Sequence, residues 1–327
     1  MDRFRTRPAV VVLGALALAL AAAGAWAGRA GPPIRAMLWI ARDADPVRAL
    51  GSTPTECLKP PSDAAQARAV EVGRAAFRTP VVLGGQAARA GIACESCHRS
   101  GRTNPDFQFP GVSSAPGTAD VTSSLFSSHR GNGVDDPRPI PDLSGPKAAF
   151  KIGQAPDDRR LEAFIHGLVT EEFDGPEPAP AVLAGLAAYV RSLDPSACPA
   201  PPRQPLSPAL LMADARQSIA AARTESAAGD TATAVVMVAA ARARLGLIDE
   251  RFNTPAVAAQ RRALRDADRR LAQVQDALRT GRPGAGSALA NWLDRARPLE
   301  ADLTAHRSAS LFDTARLRQA LKLRLPG

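Results

Sequence analysis

The chain has 327 residues, 45% of them hydrophobic and only 4% aromatic, enough for two modest domains that each bury a core. Its formal charge of +9 does not read as a nucleic-acid surface, because no stretch interleaves Lys or Arg with the aromatics that single-strand binders stack on bases. The charge reads instead as solvated helix faces, or as attraction to anionic lipid headgroups and acidic redox partners.

The chain opens with Arg3, Arg5 and Arg7, followed by an uncharged apolar run from Pro8 to Ala27. This is an export signal, and at about 20 residues it is also long enough to span a bilayer. Ala25-Trp26-Ala27 fits the small-x-small cleavage rule, so residues 1–30 are expected to be a removed signal peptide or a membrane anchor. Either outcome puts the remainder on the periplasmic side of a bacterial inner membrane, in the periplasm or anchored to the membrane, with the arginine flank inside. Residues 31–61, rich in Pro and Arg and containing Cys57, read as a juxtamembrane extension with little core of its own.

From Ser62 the pattern changes. Ser62 and Asp63 suit a helix N-cap and first turn, and Val70, Gly73, Arg74 and Phe77 keep a helical period that ends near Thr79-Pro80. Residues 81–91 read as a Gly-punctuated loop. Then comes Cys94-Glu95-Ser96-Cys97-His98. C-x-x-C-H is the attachment pattern of c-type haem: two thiols add to the vinyl groups of one porphyrin, and the adjoining histidine becomes the proximal iron ligand. A bare C-x-x-C also occurs in redox dithiols, which want a βαβ context, and in zinc sites, which want a second ligand pair. The sequence offers neither, since Cys57 and Cys198 stand alone. One covalent haem c is therefore expected, held by Cys94 and Cys97 with His98 on the iron. Haem c is attached in the exported compartment, in agreement with the leader.

Residues 100–146 are rich in Pro, Gly, Ser, Asn and Asp, and predict a long irregular segment of the kind that wraps a ligand. Asp157-Asp158 opens a helix with the apolar stripe Leu161, Phe164, Ile165 and Leu168, stopped by residues 171–176. Residues 180–193 form a further amphipathic helix with Val182, Leu183, Leu186, Tyr189, Val190 and Leu193 on its apolar side. The sequence has no methionine between Met37 and Met212, so the sixth iron ligand is sought among histidines. His166 falls on the polar face of its helix beside Glu162 and reads as a surface residue. His129, on the loop that has to cover the other porphyrin face, is the candidate iron ligand or distal base, weighed against an exposed loop histidine.

The order helix, C-x-x-C-H, loops, helix, helix resembles class I cytochromes c. Gly73-x-x-x-Phe77 and Leu186-x-x-Tyr189 resemble the Gly/aromatic pair at which that family's terminal helices cross. A narrower resemblance, over about residues 70–193, is to haem domains of the bacterial dihaem cytochrome c peroxidase superfamily. It rests on residues 73–77, 91–98 and the turn Pro139-Ile140-Pro141-Asp142-Leu143. It departs from that family in having a single C-x-x-C-H.

Cys57 and Cys198 bracket this region, and in an oxidising compartment leftover cysteines pair, the alternative being two free buried thiols. Closing that loop would stabilise by about 3 to 5 kcal/mol. Residues 199–207 are a proline-rich linker in the semi-rigid polyproline regime. Beyond it, residues 208–228, 231–247, 254–279, 287–306 and 311–325 read as helices, with breaks at Gly229-Asp230, residues 281–284 and Arg297-Pro298. Val257, Leu264, Leu271, Val274 and Leu278 form the seam of an antiparallel bundle. Residues 206–327 hold 19 Lys/Arg against 12 Asp/Glu, and His306 there reads as structural or solvated.

The expected protein is all-α: a signal or anchor (1–30), an extension (31–61), a cytochrome c-like haem domain with long loops (62–198), a linker (199–207) and a helical bundle (208–327). The expected function is electron transfer by a monohaem cytochrome c to periplasmic or membrane redox partners. The alternatives are a peroxidase-like haem enzyme with an open distal face and His129 as acid/base, and a docking or assembly protein whose bundle is the working part.

Overall fold

The computed structural model describes residues 34–146, 150, 152–155 and 157–322, so the expected leader lies outside the described residues. Among these, helices dominate and strands occur only as three two-stranded pairs.

After a 3-10 turn at Arg35–Trp39, helix α1 (Pro46–Gly51) starts where Pro46 presets the first turn and the Asp45 carboxylate accepts from the Val47 and Arg48 amides. It leads into β1 (Ser52–Pro54). Helix α2 (Ala64–Phe77) is N-capped by Asp63, whose Oδ1 accepts from Gln66 N at 2.8 Å. The loop expected over residues 81–91 contains two short helices, α3 (Pro80–Leu83) and α4 (Gly85–Ala90), the first opened by Pro80 at its first position. Helix α5 (Cys94–Cys97) is a single turn. Strands β2 (His98–Arg99) and β3 (Arg102–Thr103) pair as a hairpin, and β4 (Thr118–Ala119) pairs with β5 (Arg138–Pro139). The rest of residues 100–146 is irregular, as expected. Side chains replace a ladder there: Ser113 Oγ donates to Thr118 O at 2.6 Å, and Asp120 Oδ1 accepts from Thr122 N at 2.9 Å.

Helix α6 (Arg160–Gly167) ends in a π turn at Leu168–Glu172. On it Leu161 is buried, whereas Phe164 is 46% exposed. Glu162, expected on the polar face, is instead buried in a two-pronged pair with Arg191 of α7 (Pro180–Ser192), both contacts at 2.9 Å. Helices α2 and α7 cross where the sequence placed the Gly/aromatic pair. A Cβ added to Gly73 would lie 1.8 Å from the Gly185 carbonyl oxygen, so only glycine lets the backbones meet. The rings of Phe77 and Tyr189 fill the flank, 5.1 Å apart. Gly185 is the half of this contact that the sequence pattern did not show.

The extension and the linker are tied together. β6 (Arg203–Pro205) pairs with β1, Ser52 opposite Pro205, and the Arg203 guanidinium holds Ser52 O and Oγ at 3.0 to 3.1 Å. The end of the linker is thus a strand rather than a free polyproline spacer. Ile34 and Leu50 of the extension are buried, with Leu311, Leu317 and Leu321 as their partners.

Helices α8 (Pro208–Ala227), α9 (Thr231–Asp249), α10 (Ala258–Arg279) and α11 (Ala285–Ala305) each pack on the next, and α11 returns to α8. α12 (Thr314–Lys322) lies against α1. The seam residues Val257, Leu264, Leu271, Val274 and Leu278 are all buried. The break expected at Arg297-Pro298 is absent: α11 runs through Pro298, which sits on an exposed face of the helix. α9 is long and apolar enough to cross a membrane, yet half of its most apolar window is buried, as befits a core helix. α2 packs on α8 and α9, so one apolar core runs from Val70 and Leu186 into Met212, Met237 and Leu245.

Candidate haem site

The two motif cysteines lie on the one turn of α5. Ser96 Oγ accepts from Ala93 N at 3.1 Å, closing the turn from its N-terminal side. Asn104 closes it from the other side: its backbone N donates to Cys97 O at 2.9 Å and its Nδ2 to Ser96 O at 2.8 Å. The β2–β3 hairpin that follows has a two-residue turn, Ser100-Gly101, with both φ values positive (54° and 76°). That is the turn whose twist suits a tight hairpin. Any side chain at Gly101 would also strike Leu193, 2.5 Å from the Cβ position. The hairpin thereby locks the motif onto the end of α7.

His98 is half-buried and oriented by its Nδ1, which lies 3.0 Å from the Pro141 carbonyl oxygen. A carbonyl can only accept, so Nδ1 carries the proton and Nε2 keeps its lone pair for another partner. Burial pushes the His98 pKa down to about 4, partly countered by the Pro141 bond and Asp142, and the ring stays neutral at pH 7. Phe77 packs beside it with ring centroids 6.4 Å apart. Pro141 sits in the Pro-Ile-Pro-Asp-Leu turn, which Thr103 fastens by donating to Ile140 O at 2.9 Å. The turn stands out in the sequence, but its role as the histidine's orienter does not, since the acceptor is a backbone atom with no residue signature.

Cys94 and Cys97 are free thiols, whereas Cys57 and Cys198 are joined in a disulfide that closes 141 residues of chain. Burial pushes both free thiols up to about 12. They are protonated at pH 7.

Glu95, between the two cysteines, is held by two arginines. Arg78 Nε of the residue following α2 lies 3.4 Å from its Oε1, and Arg244 Nη1 of α9 lies 3.2 Å from its Oε2. Arg78 also reaches Glu56 at 2.7 Å and Asp214 at 2.8 Å, and Arg74 reaches the same two carboxylates at 2.7 and 2.9 Å. The Tyr189 hydroxyl donates to Glu56 at 2.7 Å. Burial raises the pKa values of Glu56 and Asp214, but the arginines more than offset it and hold both below the ordinary carboxylate range.

The histidines outside the motif find other partners. His129 is 64% exposed, its Nε2 3.8 Å from Asp174 Oδ1 and its amide bonded to Ser127 Oγ. Its loop is pinned to the π turn by Ser127 Oγ, which donates to Glu171 O at 2.6 Å, and by the Arg130–Glu171 pair. His166 Nε2 lies 2.8 Å from Glu177 Oε2, and His306 caps its own helix through Asp302 O. Met212 and Met237 are fully buried in the core of the long helices. Among the described residues no three His, Cys, Asp or Glu side chains gather to hold a bare metal ion.

No family model matches the chain, and no curated protein or solved structure matches it.

Proposed function

We propose that the chain is an exported monohaem cytochrome c that carries electrons between periplasmic or membrane redox partners. The observation that carries this reading is His98: its Nδ1 is committed to Pro141 O while Nε2 is left for a metal, beside two free thiols on one helical turn. A ligating histidine almost always has its second nitrogen fixed in this way by a carbonyl or carboxylate. The residues fit the group. Cys94 and Cys97 would hold the porphyrin, and a single histidine suffices because the macrocycle itself supplies four ligands.

The competing readings of the motif have less support. A redox dithiol needs a thiolate stabilised by its surroundings, whereas burial here drives both pKa values the other way. A zinc site needs further ligands near the cysteines. Export is supported by the leader sequence and by the disulfide, which persists in oxidising compartments.

Bound haem would supply one-electron Fe(II)/Fe(III) chemistry. The chain's part is to hold its attachment turn rigid through Ser96 and Asn104, to keep His98 neutral with its Nδ1 protonated, and to pack apolar Phe77 beside the His98 imidazole. We keep His129 as the sixth-ligand candidate, supported by its place on the long loop and by the lack of a methionine in the region. His129→Ala is expected to turn a low-spin ferric spectrum high-spin, and His166→Ala to leave it unchanged. Haem staining on a denaturing gel tests the attachment: Cys97→Ser is expected to abolish two-point attachment, while a stained band of unchanged intensity and unchanged haem spectrum would contradict it.

The dihaem-peroxidase resemblance is not carried to an activity, since one C-x-x-C-H leaves no second haem to relay electrons.

A further inference from the structure

Glu95 occupies the first of the two positions between the attachment cysteines, so its charge is fixed at the porphyrin's covalent edge by the motif itself. Its carboxylate is shared by Arg78, 7% exposed, and Arg244, 9% exposed, the second of which comes from α9 in the helical half. Arg244 also donates to the Arg78 carbonyl through Nη2, at 2.5 Å. The ion-paired cluster behind the motif contains Arg74, Arg78 and Arg244 against Glu56, Glu95 and Asp214, three charges of each sign. Glu71 stands near Arg74, pushed up by burial, and joins no ion pair among the described residues. Buried ion pairs are weak contributors to stability compared with apolar packing of the same volume, so stability alone is a poor account of this cluster.

We propose that Arg244 is a positioning and charge-setting residue of the haem site: with Arg78 it clamps Glu95, and the balanced charge of this cluster sets the haem's reduction potential. The long helices are then part of the redox centre rather than an appended module. The inference rests on the haem reading of the preceding subsection and extends it to a residue about 150 positions away in sequence, through a contact that the structure provides.

The change in charge fixes the signs. Arg244→Gln removes a positive charge beside the motif, which favours the ferric form and lowers the potential. Glu95→Gln removes a negative charge there and raises it. Each shift is expected to be about tenfold in the reduced-to-oxidised ratio at fixed potential, equivalent to about 59 mV for one electron. Arg244→Lys keeps the charge and is expected to stay close to the parent protein.

The test is a spectroscopic redox titration of the full haem-loaded chain, with covalent haem content measured first by intact mass. Opposite shifts in the two glutamine variants are the expected result. Shifts in the same direction, or none, overturn the inference while leaving the cytochrome reading standing. Should Arg244→Gln not fold, Glu95→Gln decides alone: a fall or no change in potential overturns the inference. A parent chain without covalent haem overturns the underlying reading, and this inference with it.

Discussion

The two halves of the molecule are held together by different physics. In residues 208–322, four helices of about 20 residues bury long apolar side chains, and regular backbone hydrogen bonds satisfy the polar groups within each helix. In residues 34–207 the helices are mostly short and one stretch of more than 40 residues has almost no regular structure. Order there comes from the shared apolar core together with fasteners: a disulfide, a β1–β6 clasp, side chains such as Ser113, Asp120 and Asn104 that bond the backbone, and a buried ion cluster. A half built of fasteners loses its order when one is cut, whereas a half built of packed helices spreads the loss over many contacts.

Cutting the fasteners gives the largest expected effects. The Cys57→Ser, Cys198→Ser double variant is expected to lose about 3 to 5 kcal/mol of stability. Hydrogen exchange should rise first around residues 52–58 and 193–205 while α10 and α11 stay protected. Equal loss of protection in both halves would erase the contrast.

Arg78→Met comes next, at roughly 3 kcal/mol by denaturant titration, because it takes one of their two arginine partners from the buried carboxylates of Glu56 and Asp214. The same carboxylates predict an acid response. Their folded pKa values are depressed below the ordinary 4.5 and 3.8, so their stabilisation is complete above those values and is lost as pH falls through the lower folded values. The melting temperature is expected to drop below about pH 4.5, and more shallowly in Arg78→Met than in the parent. A steeper acid loss in the variant would show that the cluster does not act as described.

In the helical half a single fastener should matter least. Ser207 Oγ accepts from Leu210 N at 3.2 Å as the N-cap of α8, and Ser207→Ala is expected to cost only about 1 kcal/mol in the same titration.

The same contrast decides what could be read from the sequence. The long helices were legible because period and breakers carry the signal, as the buried seam from Val257 to Leu278 illustrates. Pro298 misled because a proline on an exposed face costs a helix less than one facing the core. The α2–α7 crossing was half legible: Gly73, Phe77 and Tyr189 stood in the pattern, but Gly185 is set by a contact over 100 residues away. Around the motif, Cys94, Cys97 and His98 stood out because haem c attachment would demand those residue types at that spacing. Pro141 O, the Glu95–Arg244 contact and the β1–β6 clasp were not, since each depends on a backbone atom or on a partner brought near only by folding.

The central claim is that Cys94, Cys97 and His98 form an attachment site for one covalent haem. It is tested most directly by the intact mass of the full chain, produced in a host that matures c-type cytochromes and then extracted with acidified acetone. The account predicts a mass increment of one haem per chain that survives extraction, and its absence from a Cys94→Ser, Cys97→Ser variant. A parent chain whose mass after extraction is that of the bare polypeptide would contradict it.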